Sequence, residues 1–74
     1  MILQIYADFN SQDENGRIRI NPAEIAALPE SLRDGLAVVL YDEEIQVDAE
    51  ITGRDEFGLW AASPNWSTKR PLKK

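Results

Sequence analysis

Three observations predict a mainly β (α+β) fold: a small, partly open antiparallel β-barrel or sheet of about five strands with one short helix. The first is Ile45 to Thr52, which alternates apolar and polar for eight positions without a break. Successive side chains of a strand point to opposite faces, so Ile45, Val47, Ala49 and Ile51 share a core face. Gln46, Asp48, Glu50 and Thr52 share a wet, acidic one. The second is a series of short apolar runs separated by clusters of Gly, Asn, Asp and Pro, the punctuation of strands and turns. The third is size: 74 residues with no cysteine make one domain that must stand on apolar packing alone. Such a core yields only about 3–5 kcal/mol of net stability, so a partner or a second copy of the chain would help.

Each element follows from its residues. Ile2 to Asn10 reads as a first strand, with Leu3, Ile5, Ala7 and Phe9 as its core face. Ser11-Gln12-Asp13-Glu14-Asn15-Gly16 is a run of turn formers ending in the commonest hairpin dipeptide. Arg17 to Ile20 alternates again, with Ile18 and Ile20 inward, so an opening β-hairpin is expected. Asn21-Pro22-Ala23-Glu24 supplies an N-cap, a proline at the first helical position and an acid three residues past the cap. The helix runs through Leu28 and breaks at Pro29. Pro29 to Asp34 forms another turn, closed by Gly35 in a left-handed conformation. Ile25, Leu28, Leu32 and Leu36 can reach one side and plug an open end of the sheet. Leu36 to Tyr41 is a continuous apolar strand, Asp42-Glu43-Glu44 an acidic turn, and Ile45 to Thr52 the alternating strand. Gly53 to Gly58 turns again, and Leu59 to Ala62 is a last short strand. No repeat stands out.

The order β-β-α-β-β-β in this length resembles the small SH3-like or OB-like barrels. An OB-fold usually carries its helix after the third strand, and here it falls between the second and third. A barrel shape by itself implies no function. The expected domain is 1–67, with 68–74 as a basic, flexible C-terminal tail.

The net charge of −5 hides an asymmetry. All thirteen acids lie between Asp8 and Glu56, opposed there only by Arg17, Arg19, Arg33 and Arg54, which leaves the body at −9. Lys69, Arg70, Lys73 and Lys74 give the tail +4. Such a body repels duplex nucleic acid, which only the tail would attract. No apolar run approaches the roughly 20 residues of a membrane span. Met1-Ile2-Leu3-Gln4 reads as no signal peptide, so a cytoplasmic protein is expected.

The chain has neither histidine nor cysteine, and its lysines are confined to the tail. The usual acid–base and nucleophilic groups are therefore scarce, and no enzyme, metal or cofactor is expected. The loop Ser11 to Gly16 partly imitates a calcium loop, with Asp13, Asn15 and Gly16 at positions three, five and six and Ile18 at eight, but positions one and twelve would be Ser11 and Pro22, which are not charged ligands. A hairpin turn accounts for the same residues.

What remains points to binding. Glu43 and Glu44 at the hairpin tip, with Asp48 and Glu50 on the strand face, would form a contiguous negative surface for a cationic protein, in an antitoxin, immunity or inhibitor-like role. The plainer reading is a solvated face. Tyr6 and Tyr41 fall on polar or ambiguous faces, and Trp66 lies outside any period; together the three would make a partner-binding platform. Trp60, in an apolar strand, is expected in the core. The alternatives are single-stranded nucleic-acid binding by an aromatic face and the Lys69, Arg70, Lys73, Lys74 tail, or a structural homo-oligomer built on a sheet edge.

Overall fold

The computed structural model describes residues 2–29 and 31–72; Met1, Glu30, Lys73 and Lys74, the last two expected in the basic tail, lie outside the described residues. The molecule is mainly β. Its strands are β1 (Leu3–Tyr6), β2 (Ile18–Arg19), β3 (Ala37–Tyr41), β4 (Ile45–Arg54), β5 (Trp60–Pro64) and β6 (Arg70–Pro71), with one helix, α1 (Pro22–Ala26), between β2 and β3. They form a single sheet in the order β1-β3-β4-β5-β2, with β6 also on β4. The sheet does not close, and β1 and β2 are its two ends.

The alternating strand has the predicted register. Val47, Ala49 and Ile51 are buried while Asp48 and Glu50 are exposed. Cross-strand partners share a face, so the ladders assemble the core in rows. Leu3, Val38 and Ala49 make one, Ile5, Leu40 and Val47 a second, and Ile51, Ala62 and Ile18 a third. Ile25, Leu28, Leu32 and Leu36 all pack on this cluster, which is the plug expected of the segment between β2 and β3. Asn21 caps α1 by accepting a hydrogen bond from the Ala23 amide at 2.9 Å, and Gly35 adopts φ +86°, left-handed as the turn before β3 requires.

Three local expectations are corrected. The opening hairpin does not form: β1 pairs with β3, in parallel, and β2 pairs with β5. Asn15-Gly16 does sit in a turn, but the turn only brings Gln12 opposite Ile18. The chain from Ala7 to Leu36, including β2 and α1, is thus the long crossover that a parallel pair requires, and the sheet is mixed. Next, the alternating first strand is shorter than predicted, spanning Leu3–Tyr6. Finally, the segment read as a flexible tail is built into the fold as far as Leu72. A single 3-10 turn, Trp66–Thr68, leads into β6, which lies antiparallel to β4.

Candidate functional site

The ladders also assemble the opposite face of the sheet. Tyr6, Tyr41, Gln46 and Arg70 form one row across β1, β3, β4 and β6. Gln4, Val39 and Asp48 form the next, and Ala37, Glu50 and Ser63 the third. One side of β1, β3 and β4 therefore carries two tyrosines, two strand carboxylates and the acidic β3–β4 tip.

That tip is held by its own first residue. The Asp42 carboxylate accepts from the amides of Glu44 at 2.8 Å and Ile45 at 2.9 Å, which leaves the side chains of Glu43 and Glu44 at the exposed apex. Tyr6 donates its hydroxyl to Glu43 and meets Tyr41 edge-on, with ring centroids 5.7 Å apart. The hydrogen bond to Glu43, loss of water, and the negative charges of Glu43, Asp42 and Asp8 push the Tyr6 phenol up to about 12. The ring thus stays a neutral donor inside a group of carboxylates.

Of the residues singled out from sequence, the fold brings Tyr6, Tyr41 and Glu43 together, with Glu44 beside them on the tip. Asp48 and Glu50 stand further along the same face. Asp48 is not a free charge: Arg70 reaches it at 3.0 Å, both side chains remaining about half exposed. This contact couples two residues that sequence reasoning assigned to competing functions. Trp66 is placed elsewhere. It is exposed, and its ring lies 5.6 Å from Phe9, an aromatic packed on the buried cluster. The three-ring platform is therefore replaced by two separate pairs. Trp60 is half-buried against the core, with the Arg54 guanidinium 5.0 Å from its ring. Lys69 is exposed.

Two further carboxylates belong to the scaffold. Asp13 accepts from the amides of Asn15 and Arg17 through Oδ1 and from the Arg17 side chain through Oδ2, at 2.8–2.9 Å. Asp55 repeats the arrangement with the amides of Phe57 and Leu59 and the side chain of Arg19. The Arg17 amide foremost, with the Asn15 amide and the Arg17 side chain, holds the Asp13 carboxyl below its ordinary value against the pull of burial. At Asp55 burial is the strongest single influence and works upward. The bonds from Leu59, Arg19 and Phe57 together outweigh it, and the net shift is down. These turns share the pattern Asp-Glu-x-Gly, and they border one shallow depression of about 420 Å³. Sequence reading missed the repeat because four residues of common turn formers do not register as one.

No family model, no curated protein and no solved structure matches this chain. Among the described residues no helix is long and apolar enough to cross a membrane.

Proposed function

We propose that this protein is a non-catalytic interaction module that binds a cationic protein partner on the outer face of β1, β3 and β4. Glu43, Glu44, Asp48 and Glu50 supply the charge and Tyr6 and Tyr41 the floor. One observation carries the reading. The register that buries Val47, Ala49 and Ile51 sets Tyr41, Asp48 and Glu50 on the opposite side, next to a tip that Asp42 holds through the Glu44 and Ile45 amides and on which Glu43 and Glu44 are exposed. Charges so placed contribute at most about 1 kcal/mol each to folding. They act instead on association, by steering a partner of opposite sign. An antitoxin, immunity or inhibitor-like role fits a module of this size that neutralises a basic partner.

The test is a Glu44→Lys/Glu50→Lys variant. Its melting temperature should stay within a few degrees of the parent, and its capture of basic proteins from a lysate should fall sharply. Raising salt should weaken capture by the unaltered protein in the same way, because screening acts on the same long-range attraction. Undiminished capture by the lysine variant would reduce the face to a solvated surface.

A further inference from the structure

The β4 edge carries a ligand already, contributed by the chain itself. β4 is a ten-residue strand whose neighbour on that side changes along its length. β5 accompanies it from Arg54 back to Ala49, and β6 pairs with Gln46 and Ile45. Between them the 3-10 turn interrupts the pairing. There the Asp48 amide donates at 2.8 Å to the hydroxyl of Thr68, a side chain standing where a strand would offer a carbonyl. Beyond the interruption the segment is held by the two-residue ladder, by the Leu72 amide on the Glu44 carbonyl at 3.0 Å, and by Arg70 on Asp48. Neither the 3-10 turn nor β6 contains a buried residue. Elements with no fully buried residue, tied mostly by exposed bonds, belong to the part of a fold that opens first.

We infer that the β4 edge from Glu44 to Asp48 is a docking edge for an extended basic segment of a partner protein, which enters by displacing the chain's own Thr68–Leu72 segment. The seated segment defines the chemistry of the occupant: an extended backbone running antiparallel to β4, with a guanidinium or ammonium where Arg70 meets Asp48. An incoming strand without the 3-10 interruption would give the Asp48 amide a carbonyl and continue the ladder, the usual mode of strand addition to a sheet edge. The same exchange uncovers Asp48, so the basic segment also sets how much of the acidic face is available. This inference rests on the cation-binding reading above and adds to it the place and the competitor.

The experiment uses the full chain and, as probe, a capped peptide of sequence Thr-Lys-Arg-Pro-Leu, followed by amide NMR. Probe shifts should centre on Glu44 to Asp48, and the Leu72 amide should lose its exchange protection as the probe saturates. Arg70→Ala should tighten probe binding about two- to fivefold, the range expected when an exposed ion pair no longer competes. Asp48→Asn should weaken it clearly in the Arg70→Ala background and change it little with Arg70 present, where probe and displaced segment lose the same contact. If the probe shifts Tyr6, Glu43 and Glu50 while Leu72 stays protected and Arg70→Ala changes nothing, the edge inference is overturned and the cationic reading stands. If the probe shifts nothing in any variant, both are overturned.

Discussion

The turns Asp13–Arg17 and Asp55–Leu59 are built on the same plan and differ in one partner. In each an aspartate opens the turn, its Oδ1 collects the amides two and four residues on, and a glycine at the fourth position takes φ near +78°. In each an arginine Nε closes on Oδ2. At Asp13 that arginine is Arg17, four residues away and inside the turn. At Asp55 it is Arg19, 36 residues away on β2. The first turn is therefore self-contained, and the second fastens the β4–β5 connection to the end strand of the sheet. The Arg19 guanidinium also lies 5.0 Å from the Phe57 ring, so the tip of the second turn folds back over the same side chain. Burial follows the difference, the Asp55 side chain being 2% exposed and that of Asp13 8%. The aspartate that opens each of these two turns is thus fold rather than surface charge, and how much fold depends on where its arginine comes from.

Removing the two anchors should separate them. Asp55→Ala leaves two amides and Arg19 without their acceptor in a place water reaches poorly, and it unties β2; Asp13→Ala leaves its donors nearer to water. An unmet buried donor costs more than an exposed one. Thermal melts should show the Asp55 variant losing roughly twice as much as the Asp13 variant, and equal losses would break the comparison. The glycines sharpen it from the other side. A Cβ at Gly16 or Gly58 would meet nothing within 4 Å, and both have positive φ. Gly16→Ala and Gly58→Ala should therefore each cost about 1 kcal/mol, from backbone conformation alone. Matching losses in denaturant titrations would locate the difference between the turns in their arginines.

Acid should reveal both turns with a smaller effect. Each aspartate has its folded pKa below its unfolded value, near 3.9 in an unfolded chain. The stability they contribute is complete above that value and is lost as pH falls through the folded pKa. Melting temperature should decline below about pH 4, and an Asp13→Asn/Asp55→Asn variant, less stable at neutral pH, should show a shallower decline. A parallel decline in the two proteins would mean that other carboxylates govern acid unfolding.

What could be read in the chain beforehand follows the range of the interactions. β4 announced itself because eight alternating positions admit one register, and α1 because Asn21 and Pro22 carry the cap within two residues. The pairing of β1 with β3 left no local trace. A period of two records which face a residue takes and says nothing of its neighbour strand, and Asn15-Gly16 drew the prediction to the nearest one. On the site, the alternation identified Asp48 and Glu50 as outward. It could not show that Arg70 returns across 22 positions to meet Asp48, since the tail has no apolar pattern to mark it as part of the sheet. Arg19 was legible only as an outward residue of its strand, because its partner is more distant still, 36 positions along the chain.

The central claim is that the carboxylates divide into two sets, those that hold turns and those that face a partner. Two variants with the same change in charge test it together: Asp13→Asn/Asp55→Asn and Glu44→Gln/Glu50→Gln, each compared with the parent for melting temperature and for binding of an oligolysine peptide by calorimetry. The division predicts opposite outcomes. The aspartate variant should melt several degrees lower and, while folded, bind oligolysine as the parent does; the glutamate variant should melt with the parent and bind distinctly more weakly. Equal losses of binding in the two variants, with no difference in melting, would contradict it, because the peptide would then be reading only net charge.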